Sequence, residues 1–534
     1  DAFIVIDGTT TKQIPASDIS AYAGGGGGSF DAVANGAISA GSAVALESDG
    51  KVATVSALQD GKDFGTFASP NGTEIANVTG YFVATGFDPD NNKIAVAYRD
   101  GNNSDYPTIA LGHITNASNN TLSFGTPVVV ESAAATFQHQ RELIYDTNVD
   151  RFLYIYTTAS GIRSVTFTVN DAASNTITKG GAQGIDNSQK NAVGVFDSTH
   201  NKVIITFEDA DNSNKLYMKA VSVRGGSDND VNLYTSNTEL YGYDVSRDNG
   251  WGMCFDDNDE RAMVVYSDTN NSNYPYAVSI SFDPDGGGNG TLTAGTPVQL
   301  GSVAPGGQQP AAVVHDPVKN INFAVFHGSG ITFLPFTSAS GSITAGTRTT
   351  YASSNLPADM EYGQYMHAQY DPDNAKIVIF NGYSGMTVTV GEISGTGSSA
   401  QFVVDANALI APESGDTGGG YINYLACCYD TNSNKHFLAY YSNTTDTGTY
   451  GLLPTIPKNA SAYIGFANDA ISDTATGTIT TIGGIATGQS SLTIGEDYYI
   501  ANAALTTTSG TRFVGRALTA TTVLLGFPRI NNTD

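Results

Sequence analysis

The segment FQHQRELIYD is the most polar candidate for acid–base chemistry, because it carries Glu142 close to His139 and Arg141. A glycosidase or lyase needs two carboxylates, or a carboxylate and a separate base, facing its substrate. This segment supplies one carboxylate, and its alternative interpretation is a hydrated channel lining. We therefore assign no catalytic residue. A glycosidase or lyase that acts on bacterial polysaccharide stays open as an alternative.

Nucleophilic chemistry has little support in the sequence. No Gly-x-Ser-x-Gly turn follows a strand and precedes a helix, which is the setting a serine nucleophile of that type requires. The three cysteines, Cys254, Cys427 and Cys428, lie in apolar segments, where a thiol packs rather than reacts. They are too few for a disulfide framework in a chain of this length. We predict three structural thiols.

Calcium ligands would have to come from Asp-rich turns. Asp88 and Asp90 alternate along the chain, as do Asp371 and Asp373, and Ca²⁺ prefers oxygen ligands in such alternation. Neither turn continues into a twelve-residue loop that ends in Glu, and Asp in a turn also accepts backbone N–H groups. The seven histidines form no short-spaced pair for zinc. The sequence therefore predicts no metal and no cofactor.

Side chains suited to carbohydrate recognition are more numerous. Aromatic planes beside amide and hydroxyl groups complement sugar rings, which combine apolar faces with many hydroxyls. We predict a ligand-binding set in the loops between strands and at the starts of inner strands: Tyr106, His139, Trp251, Tyr274, Tyr276, Gln309, Tyr362, His367, Tyr383 and Tyr421. The alternative is that each tyrosine only covers the edge of a sheet.

A sevenfold repeat must position these residues. An aromatic residue or histidine is followed by Asp, a small polar turn and an apolar run of four to six residues. The repeated Asp residues are about 57 positions apart on average, which leaves room for four strands per repeat. The apolar runs are too short for helices and are apolar on both faces, as in strands between stacked sheets. The sequence predicts an all-β, seven-bladed β-propeller, with the repeated residues Asp88, Asp146, Asp197, Asp256, Asp316, Asp371 and Asp430.

The first repeat shows the predicted layout of a blade. Its strands are expected at 81–87, 93–100, 106–115 and 121–131. The seventh repeat thins out after Tyr450, so another part of the chain must finish that blade. Residues 62–70 are similar to residues 122–130 and are predicted to supply the missing outer strand. The propeller is therefore expected over residues 60–457.

Composition restricts the partners of this chain of 534 residues. The 24 Lys and Arg and 51 Asp and Glu give a net charge of −27, while charged residues make up only 14% of the chain. A polyanionic surface repels phosphate backbones and anionic headgroups. No apolar stretch approaches the roughly 18 residues of a membrane span. We predict no nucleic-acid binding and no membrane insertion.

The flanks of the repeats resemble a known group of proteins. Residues 1–29 are expected to form an N-terminal arm and a Gly-rich linker, and residues 30–58 and 458–534 two further segments. The stretch GSAVALESDGKV at 41–52 resembles the G-D-x-V-x-L-N-x-D-G-K-V pattern of tail-fibre-type virion proteins of tailed bacteriophages. The segment 463–525 is similar to the usual companion of that pattern. The sequence departs from it at Ser42 and Ile494.

The resemblance implies a small β domain made of both flanking segments, with the propeller inserted into it. It further implies a virion appendage at the particle surface or outside the cell, which contacts other virion proteins through its terminal segments. Proteins of this type are often trimers, so a homo-oligomer is expected. With no convincing active site, we expect a non-enzymatic protein whose propeller binds host-surface or environmental glycans. A purely structural decoration or filament protein is a further alternative.

Overall fold

The structure is a computed structural model, and about three quarters of the chain is described. The described residues are 2–7, 10–15, 28–46, 50–55, 73–76, 80–116, 121–136, 142–170, 173–187, 191–209, 215–225, 230–244, 251–286, 290–304, 312–327, 330–352, 365–382, 385–412, 422–442, 448–453, 463–501, 504–507 and 512–526. Over these ranges the protein is built from antiparallel strands, with two short 3₁₀ turns at Thr269–Asn271 and Gly397–Ser399. The predicted all-β class is confirmed. Within these ranges, no helix has the length and apolar character needed to cross a membrane.

The N-terminal part contributes six strands. They are β1 (Ala2–Asp7), β2 (Thr10–Pro15), β3 (Ser29–Val33), β4 (Ala43–Leu46), β5 (Val52–Thr54) and β6 (Thr73–Ala76). β1 and β2 pair with each other as a hairpin.

Seven small sheets follow in chain order, and we number them 1 to 7. Sheet 1 contains β7 (Gly80–Asp88), β8 (Lys93–Asp100), β9 (Tyr106–Asn116), β10 (Thr121–Phe124) and β11 (Val128–Val129). Sheet 2 contains β12 (Glu142–Asp146), β13 (Arg151–Thr158), β14 (Gly161–Val169), β15 (Ile177–Lys179) and β16 (Gln183–Asp186). Sheet 3 contains β17 (Ala192–Asp197), β18 (Lys202–Asp209), β19 (Lys215–Val223), β20 (Val231–Leu233) and β21 (Thr238–Asp244).

The remaining sheets repeat this order. Sheet 4 contains β22 (Trp251–Asp256), β23 (Arg261–Asp268), β24 (Tyr274–Asp283), β25 (Thr291–Ala294) and β26 (Val298–Gln299). Sheet 5 contains β27 (Ala312–Asp316), β28 (Ile321–His327), β29 (Gly330–Ala339), β30 (Ser342–Ala345) and β31 (Thr349–Ala352). Sheet 6 contains β32 (Tyr365–Asp371), β33 (Lys376–Gly382), β34 (Gly385–Ser394) and β35 (Gln401–Pro412). Sheet 7 contains β36 (Ile422–Asp430), β37 (Lys435–Ser442), β38 (Gly448–Leu452) and the earlier β6.

The C-terminal part adds seven strands in two further sheets. They are β39 (Tyr463–Ala467), β40 (Thr476–Thr480), β41 (Ile485–Ala486), β42 (Asp497–Ala501), β43 (Ala504–Thr506), β44 (Arg512–Thr519) and β45 (Thr522–Leu525). One sheet has the order β3-β40-β39-β4-β5 and therefore combines N-terminal and C-terminal strands. The other has the order β41-β45-β44-β42-β43.

The chain separates into two compact units. One comprises Asp1–Gln59, Pro372–Asn374 and Ile456–Asp534, and the other comprises Asp60–Asp371 and Ala375–Thr455. In the larger unit, the first strand of each sheet contacts the first strand of the next, and β36 of sheet 7 contacts β7 of sheet 1. Buried apolar clusters fill the spaces between neighbouring sheets, such as the one that joins Ala95 of sheet 1 to Phe152 of sheet 2. Burial of this apolar surface is the main source of stability.

Sheet 7 is completed by β6, whose residue Ala76 pairs with Thr449 and whose Thr73 pairs with Gly451. This differs from the prediction that residues 62–70 supply that strand, and those residues lie outside the described part of the chain. The outer strand of sheet 1 is also shorter than predicted. It is split into β10 and β11, with Gly125 and Pro127 between them, and Pro has no N–H to continue the ladder.

The repeated Asp has one structural role in the first hairpin of the sheets. Asp256 is fully buried, and its Oδ1 accepts the N–H groups of Asn258 at 3.1 Å and Asp259 at 3.0 Å. Asp316 and Asp430 accept the equivalent N–H groups in their own turns. The fourth residue after the Asp is left-handed in all seven hairpins, with φ between 49° and 54°: Asn92, Asp150, Asn201, Glu260, Asn320, Ala375 and Asn434. Asn and Asp tolerate this conformation better than other non-glycine residues, which explains their frequency there.

In the smaller unit, the two segments behind the virion-protein resemblance meet in one core. Ala45 of β4 pairs with Tyr463 of β39, and both are buried in a cluster with Val523. Gly41 has a φ of +75°, and a Cβ there would lie 3.0 Å from the carbonyl oxygen of Gly488. Only glycine satisfies both conditions without displacing the backbone.

Candidate functional site

Glu142 lies at the start of β12, where it pairs with Ile155 of β13. Its side chain is mostly buried, and burial raises the pKa of the carboxyl group to about 8. A carboxyl group in this state is largely protonated at neutral pH and is a poor general base there. His139 and Arg141, its predicted companions, lie outside the described residues.

His367 lies in β32 and contacts sheet 7. Its Nδ1 is 2.9 Å from Sγ of Cys427 in β36. Burial lowers the pKa of His367 to about 4 and raises the pKa of the Cys427 thiol well above its usual value. The pair is therefore a neutral imidazole and a protonated thiol at neutral pH, which is the opposite of an activated thiolate. All three cysteines are free and buried.

Trp251 is not available to a ligand. It is fully buried between sheets 3 and 4, and its indole N–H donates to Oγ1 of Thr206 at 2.8 Å. The prediction that it binds a ligand is therefore wrong. An aromatic residue at a strand start was taken as exposed, although its alternation with Met253 and Phe255, which belong to the same cluster, places it on the packed face of the strand.

The calcium candidates serve the turns. Asp88 is buried, its Oδ1 accepts the N–H groups of Asp90 and Asn91 at 3.0 Å, and its Oδ2 accepts the Asn91 amide at 2.9 Å. Asp371 and Asp373 are also buried. Over the described ranges, no group of three or more His, Cys, Asp or Glu side chains is arranged to hold a metal ion.

Three of the predicted tyrosines share one end of the larger unit. Tyr106 begins β9 and Tyr274 begins β24, so both are the first residues of the third strand of their sheets, at the end opposite the Asp turns. Tyr276 lies two residues further along β24. All three are partly exposed. Gln309, Tyr362, Tyr383 and Tyr421 lie outside the described residues, as does His139.

Amide groups surround the tyrosine of sheet 4. The side-chain amide of Asn271 donates to the hydroxyl of Tyr276, and this hydroxyl donates to Oε1 of Gln299 at 3.2 Å. Nε2 of Gln299 donates to the carbonyl oxygen of Gly301 at 2.9 Å. The ring of Tyr276 stacks on that of Tyr266 at a centroid distance of 6.2 Å. This arrangement holds a tyrosine plane beside oriented amides, which is the chemistry that a neutral sugar requires.

The sequence reasoning missed a repeat within this end of the unit. The segments 100–107 and 268–275 read DGNNSDYP and DTNNSNYP, and they differ only at Gly101/Thr269 and Asp105/Asn273. Both form the connection from the second to the third strand, in sheets 1 and 4. The signal that finds this repeat is the shared Asn-Asn-Ser before a Tyr-Pro pair.

Comparisons with known proteins give matches among solved structures. No protein-family model and no curated protein matches the sequence. The solved structure of AofleA from Arthrobotrys oligospora is similar over 63% of this chain and 91% of its own, with 8% identity and a TM-score of 0.37. A protein from Bacteroides fragilis, named as a candidate 6-phosphogluconolactonase, is similar over 73% of this chain and 98% of its own, with 12% identity and a TM-score of 0.41. These values carry no argument about the function of this chain.

Proposed function

We propose that this chain is a non-enzymatic bacteriophage appendage protein that binds host-surface or environmental glycans through a seven-bladed β-propeller. In this proposal the seven sheets are the blades. The closed series of contacts between their first strands supports a ring, and β6 in sheet 7 supports closure of that ring by strands from both ends of the unit. The sheet that combines N-terminal and C-terminal strands supports a small β domain with the propeller inserted into it.

The observation that carries glycan binding is the tyrosine and amide surface at one end of sheets 1 and 4. Tyr106, Tyr274 and Tyr276 are partly exposed there, and amide groups adjoin Tyr276. Loops on a rigid scaffold are the usual place for recognition. The two titratable groups that could have served catalysis, Glu142 and His367, are held neutral at pH 7 by burial. These groups favour binding over chemistry.

The virion assignment rests on the resemblance of the flanking segments alone. In it, the smaller unit attaches the chain to other virion proteins as a homo-oligomer, and the larger unit faces outward. Immunogold labelling of particles from the source of this sequence tests this part of the proposal. Label on the particle surface supports it, and label absent from particles contradicts it.

Binding of the full chain to an array of bacterial polysaccharides tests the recognition half. We expect saturable binding to at least one class of neutral polysaccharide and no release of reducing ends during prolonged incubation. If the chain binds no polysaccharide of a diverse array, the result contradicts glycan recognition and favours the structural alternative. Released reducing ends would instead favour the glycosidase or lyase alternative.

A further inference from the structure

The connections at 101–105 in sheet 1 and 269–273 in sheet 4 have the same length and share two backbone features. Oδ1 of Asp100 accepts the N–H of Asn102 at 3.0 Å, and Oδ1 of Asp268 accepts the N–H of Asn270 at 3.0 Å. Each connection ends in two consecutive left-handed residues, with φ of 56° and 61° at Ser104–Asp105 and 58° and 57° at Ser272–Asn273. Two adjacent non-glycine residues in this region are uncommon and cost free energy.

The fold does not require these longer connections. Sheet 2 joins the same two strands with only Ala159 and Ser160, between β13 and β14. The second strands of sheets 1, 2 and 4 all have eight residues, so the shorter connection serves a hairpin of the same size. A five-residue connection with two residues in a conformation that costs free energy, repeated in two sheets, therefore needs a reason other than closing the hairpin.

The side chains of the two connections present the same chemistry. Asn102, Asn103 and Ser104 are exposed in sheet 1, and Asn270 and Ser272 are exposed in sheet 4. The tyrosine that ends each connection pairs across the hairpin with its first Asp, Tyr106 with Asp100 and Tyr274 with Asp268. Residues paired in this way lie on the same face of a sheet. Each connection thus presents an aromatic plane, amides and a hydroxyl, and sheet 1 adds the partly exposed carboxylate of Asp100, whereas Asp268 of sheet 4 is buried.

Charge restricts the ligand to a neutral one. Asp105 of the sheet 1 connection is paired with Arg99 at 2.6 Å, and the whole chain has a net charge of −27. An anionic polysaccharide would be repelled, whereas carboxylate and amide oxygens accept hydrogen bonds from sugar hydroxyls.

We propose that the connections at 101–105 and 269–273, with Tyr106 and Tyr274, are two equivalent subsites for neutral hexose units, so that one chain binds a polysaccharide at two points. This inference rests on the proposed glycan binding and names the residues that perform it. Residues 209–214 read DADNSN and repeat part of the pattern in sheet 3, but Lys215 stands where the other two connections have tyrosine. Two subsites per chain are therefore expected rather than three.

Two-point attachment has a measurable signature. Linking two binding events raises apparent affinity by about 10²- to 10⁴-fold without changing either subsite. The full chain is assayed against dextran, mannan and galactan, and against isomaltose, mannobiose and galactobiose as short probes. Tyr106→Ala and Tyr274→Ala are made singly and together. Tyr145→Ala, a partly exposed tyrosine at the Asp-turn end of sheet 2, is the matched control.

For the polymer that binds, each single variant should weaken the apparent affinity at least tenfold, and the double variant should abolish binding. For the matching disaccharide, each single variant should lower the stoichiometry from two to one with an unchanged Kd. Tyr145→Ala should change neither. If both single variants bind the polymer with an apparent affinity within twofold of wild type, the proposal of two subsites is wrong, while the proposed glycan binding stands. Failure of the wild-type chain to bind any glycan would instead overturn the proposed function, and the subsites with it.

A second pair of variants guards against misfolding of the tyrosine variants. Residues 101–105, or 269–273, are replaced by the Ala-Ser connection of sheet 2, which this fold already accommodates. These variants should reproduce the losses of the corresponding tyrosine variants while their circular dichroism spectra remain those of the folded wild-type chain. Retained two-site binding in a chain with both replacements would overturn the proposal.

Discussion

Nδ1 of His367 lies 2.9 Å from Sγ of Cys427 across the boundary between sheets 6 and 7. Burial lowers the pKa of this imidazole from 6.5 to about 4. The unfolded chain therefore binds more protons than the native state between these two values, and stability must fall as the pH falls through that range. Above pH 6.5 this residue adds no pH dependence.

The first prediction concerns this histidine. His367→Gln should remove a loss of stability on the order of 3 kcal/mol that the wild-type protein shows between pH 6.5 and 4. Urea unfolding at several pH values measures it. The variant also changes the contact with Cys427. The test is therefore the slope of the free energy of unfolding against pH, and not its absolute value. An unchanged slope below pH 6.5 would show that His367 is protonated in the folded protein.

Glu142 should give the opposite pH dependence. Burial raises the pKa of its carboxyl group from 4.5 to about 8, so the native state holds a proton that the unfolded chain loses. Stability contributed by this group is present below pH 4.5 and declines as the pH rises towards 8. Glu142→Gln should therefore stabilise the protein at pH 8 by an amount on the order of 2 kcal/mol, discounted for the partial exposure of the side chain.

His367→Gln is the natural control for Glu142→Gln. The first variant should flatten the acidic side of the stability profile, and the second should flatten the side from pH 4.5 to 8. A Glu142→Gln variant that is less stable than wild type at pH 8 would mean that the carboxylate is charged and has a partner in the folded protein.

The sequence predicted the inner hairpins because one residue type does one job in each of them. The repeated Asp marks the turn, and β8 begins and ends at the predicted residues, Lys93 and Asp100. The outer strands were less predictable. β6 has only four residues and no turn signal of its own, and its place in sheet 7 depends on closure with distant β38. Such long-range pairing leaves no local pattern.

The candidate site was predictable only in part, for a related reason. The residues chosen for aromatic character included Tyr274, which is partly exposed, and Trp251, which is buried. Residue type alone does not distinguish them, because both are large aromatic residues at the start of a strand. The distinction lies in which face of the strand packs on the neighbouring sheet, and for Trp251 the alternation with Met253 and Phe255 indicates that face.

The left-handed turn position offers a prediction on stability. The turns of sheets 1 and 6 read DPDNNK and DPDNAK, so Ala375 stands where sheet 1 has Asn92, and its φ is 49°. Alanine is disfavoured in this region, and Asn is not. Ala375→Asn should raise the free energy of unfolding by about 0.5–1 kcal/mol, and the reverse change Asn92→Ala should lower it by about 1 kcal/mol. Denaturant midpoints measure both. Equal destabilisation by the two changes would contradict a backbone origin.

The boundary between sheets 4 and 5 contains a buried polar network. Losing it should lower the free energy of unfolding by more than losing an exposed hydrogen bond does. Nδ2 of Asn322 donates to Oδ2 of Asp256 at 2.7 Å, while Oδ1 of Asn322 lies 3.1 Å from Nδ1 of His315. All three residues are buried, and the buried thiol of Cys254 also donates to Oδ1 of Asn322 at 3.4 Å. Asn322→Ala therefore removes the partner of three groups away from water. We expect a loss of about 2–3 kcal/mol in the free energy of unfolding.

Ser198→Ala is the matched control for Asn322→Ala. Oγ of Ser198 donates to Oδ1 of Asp257, an Asp of a neighbouring sheet, at 2.8 Å, but this bond lies at an exposed position. Water replaces that bond when it is lost, so the cost should stay below about 0.5 kcal/mol. Urea unfolding of both variants at pH 7 gives the comparison. Since the two bonds cross neighbouring boundaries between sheets of the same unit, a difference between them isolates burial as its cause. Similar costs for the two variants would mean that water reaches the network around Asp256.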